Sequence, residues 1–146
     1  MRYLHGVLGT TGIETIEIVR GIVDNVKPKL IIAIDSLCSK NIDRINKSIQ
    51  ISDTGIVPGG GVGNRQEELS KETLGIPVIG VGIPTVLDAA TIVIDTLKAC
   101  DINISEEELV NKMRLNNFNF VVTPKEIDSL IENMTMIVSE GINMCI

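Results

Sequence analysis

Two short aliphatic runs, LIIAI at residues 30–34 and PVIGVGI at 77–83, stand between segments whose apolar residues recur every three or four positions. Apolar runs this short read as buried strands, and the longer periodic segments read as amphipathic helices. Strands alternating with helices call for crossover connections, which lay helices over the faces of a largely parallel sheet. The chain is therefore α/β, with a mostly parallel or mixed sheet flanked by helices. The side chains suit that plan. Hydrophobic residues make up 44% of the chain but aromatics only 2%, namely Tyr3, Phe118 and Phe120. Aliphatic side chains fill strands that are covered on both faces. A length of 146 residues fits a single α/β domain over 1–146, within the usual ~100–200 residues.

The segments can be placed more closely. Thr11 and Glu14 have the spacing of a capping box, and Ile13, Ile16, Val19, Ile22, Val23 and Val26 follow at helical period up to Lys27 and Pro28. The run at 30–34 ends at Asp35, so a carboxylate is expected at the carboxyl end of a buried strand. Residues 48–52 (SIQIS) alternate as a half-buried strand does. Residues 54–65 (TGIVPGGGVGNR) hold five glycines and a proline and read as a loop. A short helix is expected over 67–74. A second apolar helix is expected over 86–97, with Thr85 as its cap and Asp88 as its third residue. A surface helix should follow Ser105, a short strand should cover 118–122, and a last helix should start near Thr123-Pro124 and stop at Gly141.

Charge and composition exclude several functions. Lys and Arg number 13 against 19 Asp and Glu, a net charge of −6. Such a chain lacks both the basic footprint and the aromatic platform for nucleic acid. Its longest nearly apolar run, 76–87, is broken by Pro77, Gly80, Gly82 and Pro84 and falls short of the ~20 residues that span a bilayer. The expectation is no membrane partner and a cytoplasmic location. Cys38, Cys100 and Cys145 are far apart and read as reduced thiols. His5 is the one histidine, so no metal set is expected, and no cofactor.

Asp35 is the leading candidate for chemistry. Ligand sites in open α/β sheets form outside the carboxyl ends of strands, and a carboxyl there can serve as general acid or base. The competing role is a cap for the following turn. Asp53-Thr54-Gly55 spells the D-T-G of all-β aspartic proteases, but no second copy exists and the helical periods contradict an all-β fold; a turn is the better reading. Gly59, Gly61, Gly63 and Asn64 form a glycine-rich loop. It lacks the last glycine of a dinucleotide fingerprint and the Gly-Lys of a P-loop, so it reads as a loop near the site whose amides could meet a substrate. Asp88 is explained by capping, and with Asp53 it is also a candidate beside the substrate loop. Cys38 follows Asp35 closely, but a neighbouring carboxylate disfavours its thiolate.

Several stretches taken together, GVLGTTGIET, KPKLIIAIDSL, INKSIQISDTGIVPGGGVGNRQEELSKETLGIPVIGVGIPTVLDAATI and VVTPKEIDSLIENM, resemble the germination protease (spore endopeptidase) family. The resemblance covers about residues 6–97 and 118–143. It implies an endopeptidase of the spore core that cleaves small acid-soluble spore proteins on germination. It also implies a zymogen, a homo-oligomer (a tetramer in the family), and a three-layer fold like that of hydrogenase-maturation peptidases, a phosphorylase/hydrolase-like arrangement. The family's chemistry is attributed to two aspartates, and Asp35 matches the second.

The family's first aspartate lies upstream, in a stretch reading roughly T-P-D-A-L-G-P, and this sequence opens after that point. The region between Leu97 and Phe118 is also shorter than usual. The expectation is therefore a carboxyl-terminal portion or truncated relative that carries half of an aspartate dyad and is inactive alone. Asp53 and Asp88 are the candidates for a substitute partner. The reading from a different class is a non-catalytic binding or assembly module derived from the same fold.

Overall fold

The structure, a computed structural model, describes residues 12–60, 66–118 and 120–145. Five helices and four strands are seen among them: α1 (Thr15–Val26), β1 (Ile31–Ser39), β2 (Gln50–Ser52), α2 (Lys71–Leu74), β3 (Val78–Asp88), α3 (Ala89–Ala99), α4 (Glu106–Leu115), β4 (Val121–Val122) and α5 (Ile127–Cys145). The sheet is mixed and open, in the order β1–β3–β2, with β4 also pairing with β3. Both β2 and β4 run antiparallel to β3, with Ile51 opposite Val81 and Leu87 opposite Val122. The α/β expectation, with a mixed sheet flanked by helices, is what the structure shows. The chain divides into two compact units, Met1–Asp35 with Gln50–Gly82 and Ser36–Ile49 with Ile83–Ile146.

In the first unit, α1 ends at Lys27, which takes the left-handed conformation (φ 49°) and donates its N–H to the Val23 carbonyl at 2.8 Å. Pro28 then forbids continuation. The core of this unit gathers Ile16, Leu69, Leu74 and Val78, with Val19, Ile31, Ala33, Ile56 and Ile76 packed around them. Each such side chain contributes ~1.5–3 kcal/mol when fully buried. The expected helix over 67–74 is confined to Lys71–Leu74 because Leu69 is used otherwise. Its N–H and C=O pair with Ile56 at 2.8 and 3.0 Å, a two-way bridge that excludes helical geometry. Ser70 and Thr73 then form a capping box, and Gly75 closes the helix at φ 73°.

Two strand ends depart from expectation. β1 does not stop at residue 34; it runs through Asp35 to Ser39. Its burial also alternates, leaving Ile32 and Ile34 exposed, so it is not buried on both faces. β3 continues past residue 83 to Asp88, and α3 begins at Ala89 instead of at 86. Pairing with β4 supplies ladder partners for Leu87 and Asp88, and that pairing outweighs the helical period of the same residues.

In the second unit, Asn41 caps a 3-10 turn at Ile42–Arg44 by accepting the Asp43 N–H at 2.8 Å. Asn46 follows at φ 50°; its N–H reaches the Pro84 carbonyl at 2.8 Å, while its buried side-chain amide has no partner among the described residues. Helices α3 and α4 pack together, and Lys98 meets Glu106 at 2.7 Å. Ser105 caps α4 as expected, accepting the Glu108 N–H at 3.4 Å. β4 is shorter than the expected 118–122, and Phe118 and Phe120 are exposed. α5 begins at Ile127 and passes through Gly141 to Cys145, so the glycine does not stop it. A helix interior costs glycine only ~1 kcal/mol relative to alanine. No residue of α5 is buried; Ile131, Met136, Ile137 and Met144 are among its exposed apolar residues. Among the described residues no helix is long and apolar enough to cross a membrane.

Candidate functional site

Alternation along β1 sets the direction of Asp35. Side chains two apart share a face of a strand. Ile31 and Ala33 pack on the core of the first unit, so Asp35 continues that inward row and is half-buried. Sequence reasoning placed it just beyond a strand; the structure places it within one.

The glycine-rich segment comes to it. Residues 57–60 make a reverse turn in which the Gly60 N–H donates to the Val57 carbonyl at 3.2 Å. Pro58 occupies the second position and Gly59 the third, with φ 64°. Proline followed by a positive-φ glycine is the pattern of a type II turn. The turn uses the amide of Gly60 internally and leaves that of Gly59 to point outward. That Gly59 N–H donates to Asp35 Oδ2 at 3.0 Å. A hydrogen bond from a neutral amide to a carboxylate is charge-assisted and both stronger and more directional than a neutral one. The expected proximity of Asp35 to the glycine loop is thus seen at Gly59, whose amide meets the aspartate. Gly61, Gly63 and Asn64 lie outside the described residues, as does His5.

Asp53 sits on an exposed bend between β2 and the turn. Its neighbours hold the bend: Ser52 Oγ accepts the Thr54 N–H at 3.1 Å and pairs with the Thr54 hydroxyl at 2.6 Å. Asp53 and Thr54 of the D-T-G tripeptide form this bend, and Gly55 follows it at φ 105°.

Asp88 belongs to the second unit and is the N-cap of α3, its Oδ1 accepting the Ala90 N–H at 2.9 Å. The capping role was legible, although its position was not: Asp88 is the cap itself, and Thr85 lies three residues earlier in β3. Cys38, in the same unit, is half-buried and close to Asp88. Burial first, and then the charge of Asp88, pushes its thiol above the ordinary value; a backbone hydrogen bond at Asp88 and the charge of Lys40 oppose this. A thiol in that state is a poor nucleophile. Cys38, Cys100 and Cys145 are all free thiols.

One contact of the second unit carried no sequence signal. Ser36, the residue after Asp35 in β1, pairs its hydroxyl with that of Thr85 in β3. Among the described residues no group of three or more His, Cys, Asp or Glu is arranged to hold a metal ion.

Comparison with known proteins adds to this geometry. A family model described as germination protease matches residues 3–107. Among curated proteins, the germination protease of Caldanaerobacter subterraneus subsp. tengcongensis is 46% identical over an alignment of 162 positions, gaps included, covering 97% of this chain and 50% of that protein. That of Clostridium tetani is 43% identical with the same coverage, and that of Bacillus mycoides is 37% identical, covering 94% of this chain and 52% of its own length. The chain spans about half the length of the curated relatives it matches. With the model matching well over half of these 146 residues, the chain belongs to the germination protease family.

Proposed function

We propose that this chain supplies one of the two aspartates, Asp35, to an aspartic-type endopeptidase that cleaves small acid-soluble spore proteins on germination. The observation that supports it most directly is the carboxylate of Asp35 held by the Gly59 amide on the inward face of β1. An oriented, half-buried carboxyl is what general acid–base work asks for. In the reading favoured here a second carboxyl comes from the half of the relatives that this chain does not match. Two carboxyls at hydrogen-bond distance share one proton, because both cannot be ionised together. One of them takes a proton from water; the other, protonated, polarises the scissile carbonyl. The chemistry draws on carboxyls alone and calls for no cofactor. Gly59, Gly61, Gly63 and Asn64, together with Asp53, are the candidates for contact with the substrate chain.

The test is a chimera in which this chain replaces the matched half of the Caldanaerobacter relative. It should cleave a small acid-soluble spore protein, and Asp35→Asn should abolish cleavage while leaving the circular-dichroism spectrum unchanged. Cleavage that survives Asp35→Asn overturns the assignment. A zymogen stage, a spore-core location and a homo-oligomer belong to the same proposal. The exposed apolar residues of α5 support association. Light scattering that shows a monomer at high concentration contradicts it.

A further inference from the structure

The Gly59 amide does not meet Asp35 by the geometry of its own turn alone; the segment behind it is pinned at two glycines. Gly80 in β3 lies opposite Ser52 at the end of β2. A Cβ at Gly80 would stand 2.6 Å from the Gly55 carbonyl oxygen, closer than real side chains approach, and 3.0 Å from Ile56 Cβ, a tight contact. Gly55 has φ 105°, and a Cβ there would run into the Leu69 carbonyl oxygen. The two carbonyl oxygens are backbone, so neither can move aside as a flexible side chain would. Glycine inside a strand marks such a close approach. Immediately after Gly55, Ile56 is locked to Leu69 by the two-way bridge. The turn that carries Gly59 follows directly.

We propose that the Gly55–Gly80 contact is a positioning device: it sets the height of residues 55–60 over the sheet and so delivers the Gly59 N–H to the Asp35 carboxylate. Gly55 and Gly80 are positioning residues, since neither touches the aspartate. The consequence for rate rests on the catalytic reading of Asp35; the geometric claim does not. A Cβ at Gly80 lifts the segment by a fraction of an ångström or more, and displacements of that order at a reacting group can cost up to ~100-fold in rate.

The experiment reads the two claims separately. In the full chain, the NMR resonance of the Gly59 amide proton should lie downfield and should move upfield on Asp35→Asn. In Gly80→Ala the Gly59 resonance should already be displaced upfield, and adding Asp35→Asn should shift it no further. Gly75→Ala is the control: Gly75 also has positive φ (73°) but open space around it, so it strains the backbone without touching the segment. It should leave the Gly59 resonance and its response to Asp35→Asn as in the parent. If Gly80→Ala does not fold, Ile56→Ala removes the side-chain packing that seats the same segment on the core, with no added bulk, and should weaken that response. A response retained in full in Gly80→Ala, or in Ile56→Ala where that variant is used, overturns the proposal. In the chimera, Gly80→Ala should lower kcat about 10- to 100-fold with KM little changed. Equal losses in Gly75→Ala would assign the effect to general destabilisation and overturn the positioning role. Should cleavage prove indifferent to Asp35→Asn, the catalytic reading fails while the resonance test of the contact stands.

Discussion

Asp35 and Asp88 both occur in β-strands, and each accepts a backbone N–H at nearly the same distance, 3.0 and 2.9 Å. The donors differ. Asp88 takes the amide of Ala90, two residues on; Asp35 takes the amide of Gly59, 24 residues on. A cap is made by the chain's own next turn and costs little additional ordering. The contact at Asp35 exists only after β2, the Ile56–Leu69 bridge and the turn at 57–60 have been put in place. Ordering such a segment costs ~1–2 kcal/mol per residue in backbone entropy. A contact that needs so much support is sensitive to distant changes, whereas a cap is sensitive only to its own residue.

The two carboxylates should respond differently to substitution. The largest effect is expected from Asp35→Asn in the chimera, a loss of at least ~10²–10⁴ in kcat, the scale of one acid–base group, with Asp88→Asn near parental turnover per folded molecule. Next is Ile16→Ala. Ile16 is 1% exposed in the core that Asp35's strand packs on, so urea denaturation should show a loss of ~2–5 kcal/mol. The Gly59 resonance should broaden with it if the contact depends on that packing. Asp88→Ala removes a cap and should cost ~1 kcal/mol, confined to α3 in hydrogen exchange.

The smallest effects are those of titration. Because the folded state raises the Cys38 thiol, the native protein holds that proton more tightly than the unfolded chain does. Its stabilising contribution is complete below the unfolded value and is lost as pH rises through the raised one. Urea midpoints in the alkaline range should therefore fall less steeply in Cys38→Ala. Iodoacetamide should modify Cys38 more slowly than the exposed Cys100 and Cys145. A faster reaction at Cys38 would contradict the environment described for it.

The alternation of aliphatic runs and helical periods was enough to find the α/β class and the capping role of Asp88, and to mark Asp35 as the candidate. Strand ends were not legible. Asp35, Ser36 and Ser39 are polar, and nothing local shows that β1 runs through them, because the strand is completed by partners far along the chain. The same holds for Val86 and Leu87, which fit a helix by period and a strand by pairing; Val121 and Val122 decide it. The end of the helix at 141 failed for another reason: glycine permits a stop without requiring one. At the site, the sequence marked the loop as glycine-rich but could not say which glycine meets the aspartate. Gly80 was the available clue, one of two glycines in the apolar run 77–83.

β3 pairs with β1, β2 and β4, and none of these partners is its immediate hairpin neighbour with a tight two-residue turn. Its pairings with β2 and β4, for example Ile51 with Val81 and Leu87 with Val122, close long stretches of chain. Closure entropy must be spent before such contacts return anything, so folding should be slow for a chain of this length. The amides of β3 would then be the last to exchange with deuterium in the native state and among the last to gain protection during refolding. A chain caught before that point exposes an aliphatic strand with open edges, which makes the refolding yield fall as protein concentration rises.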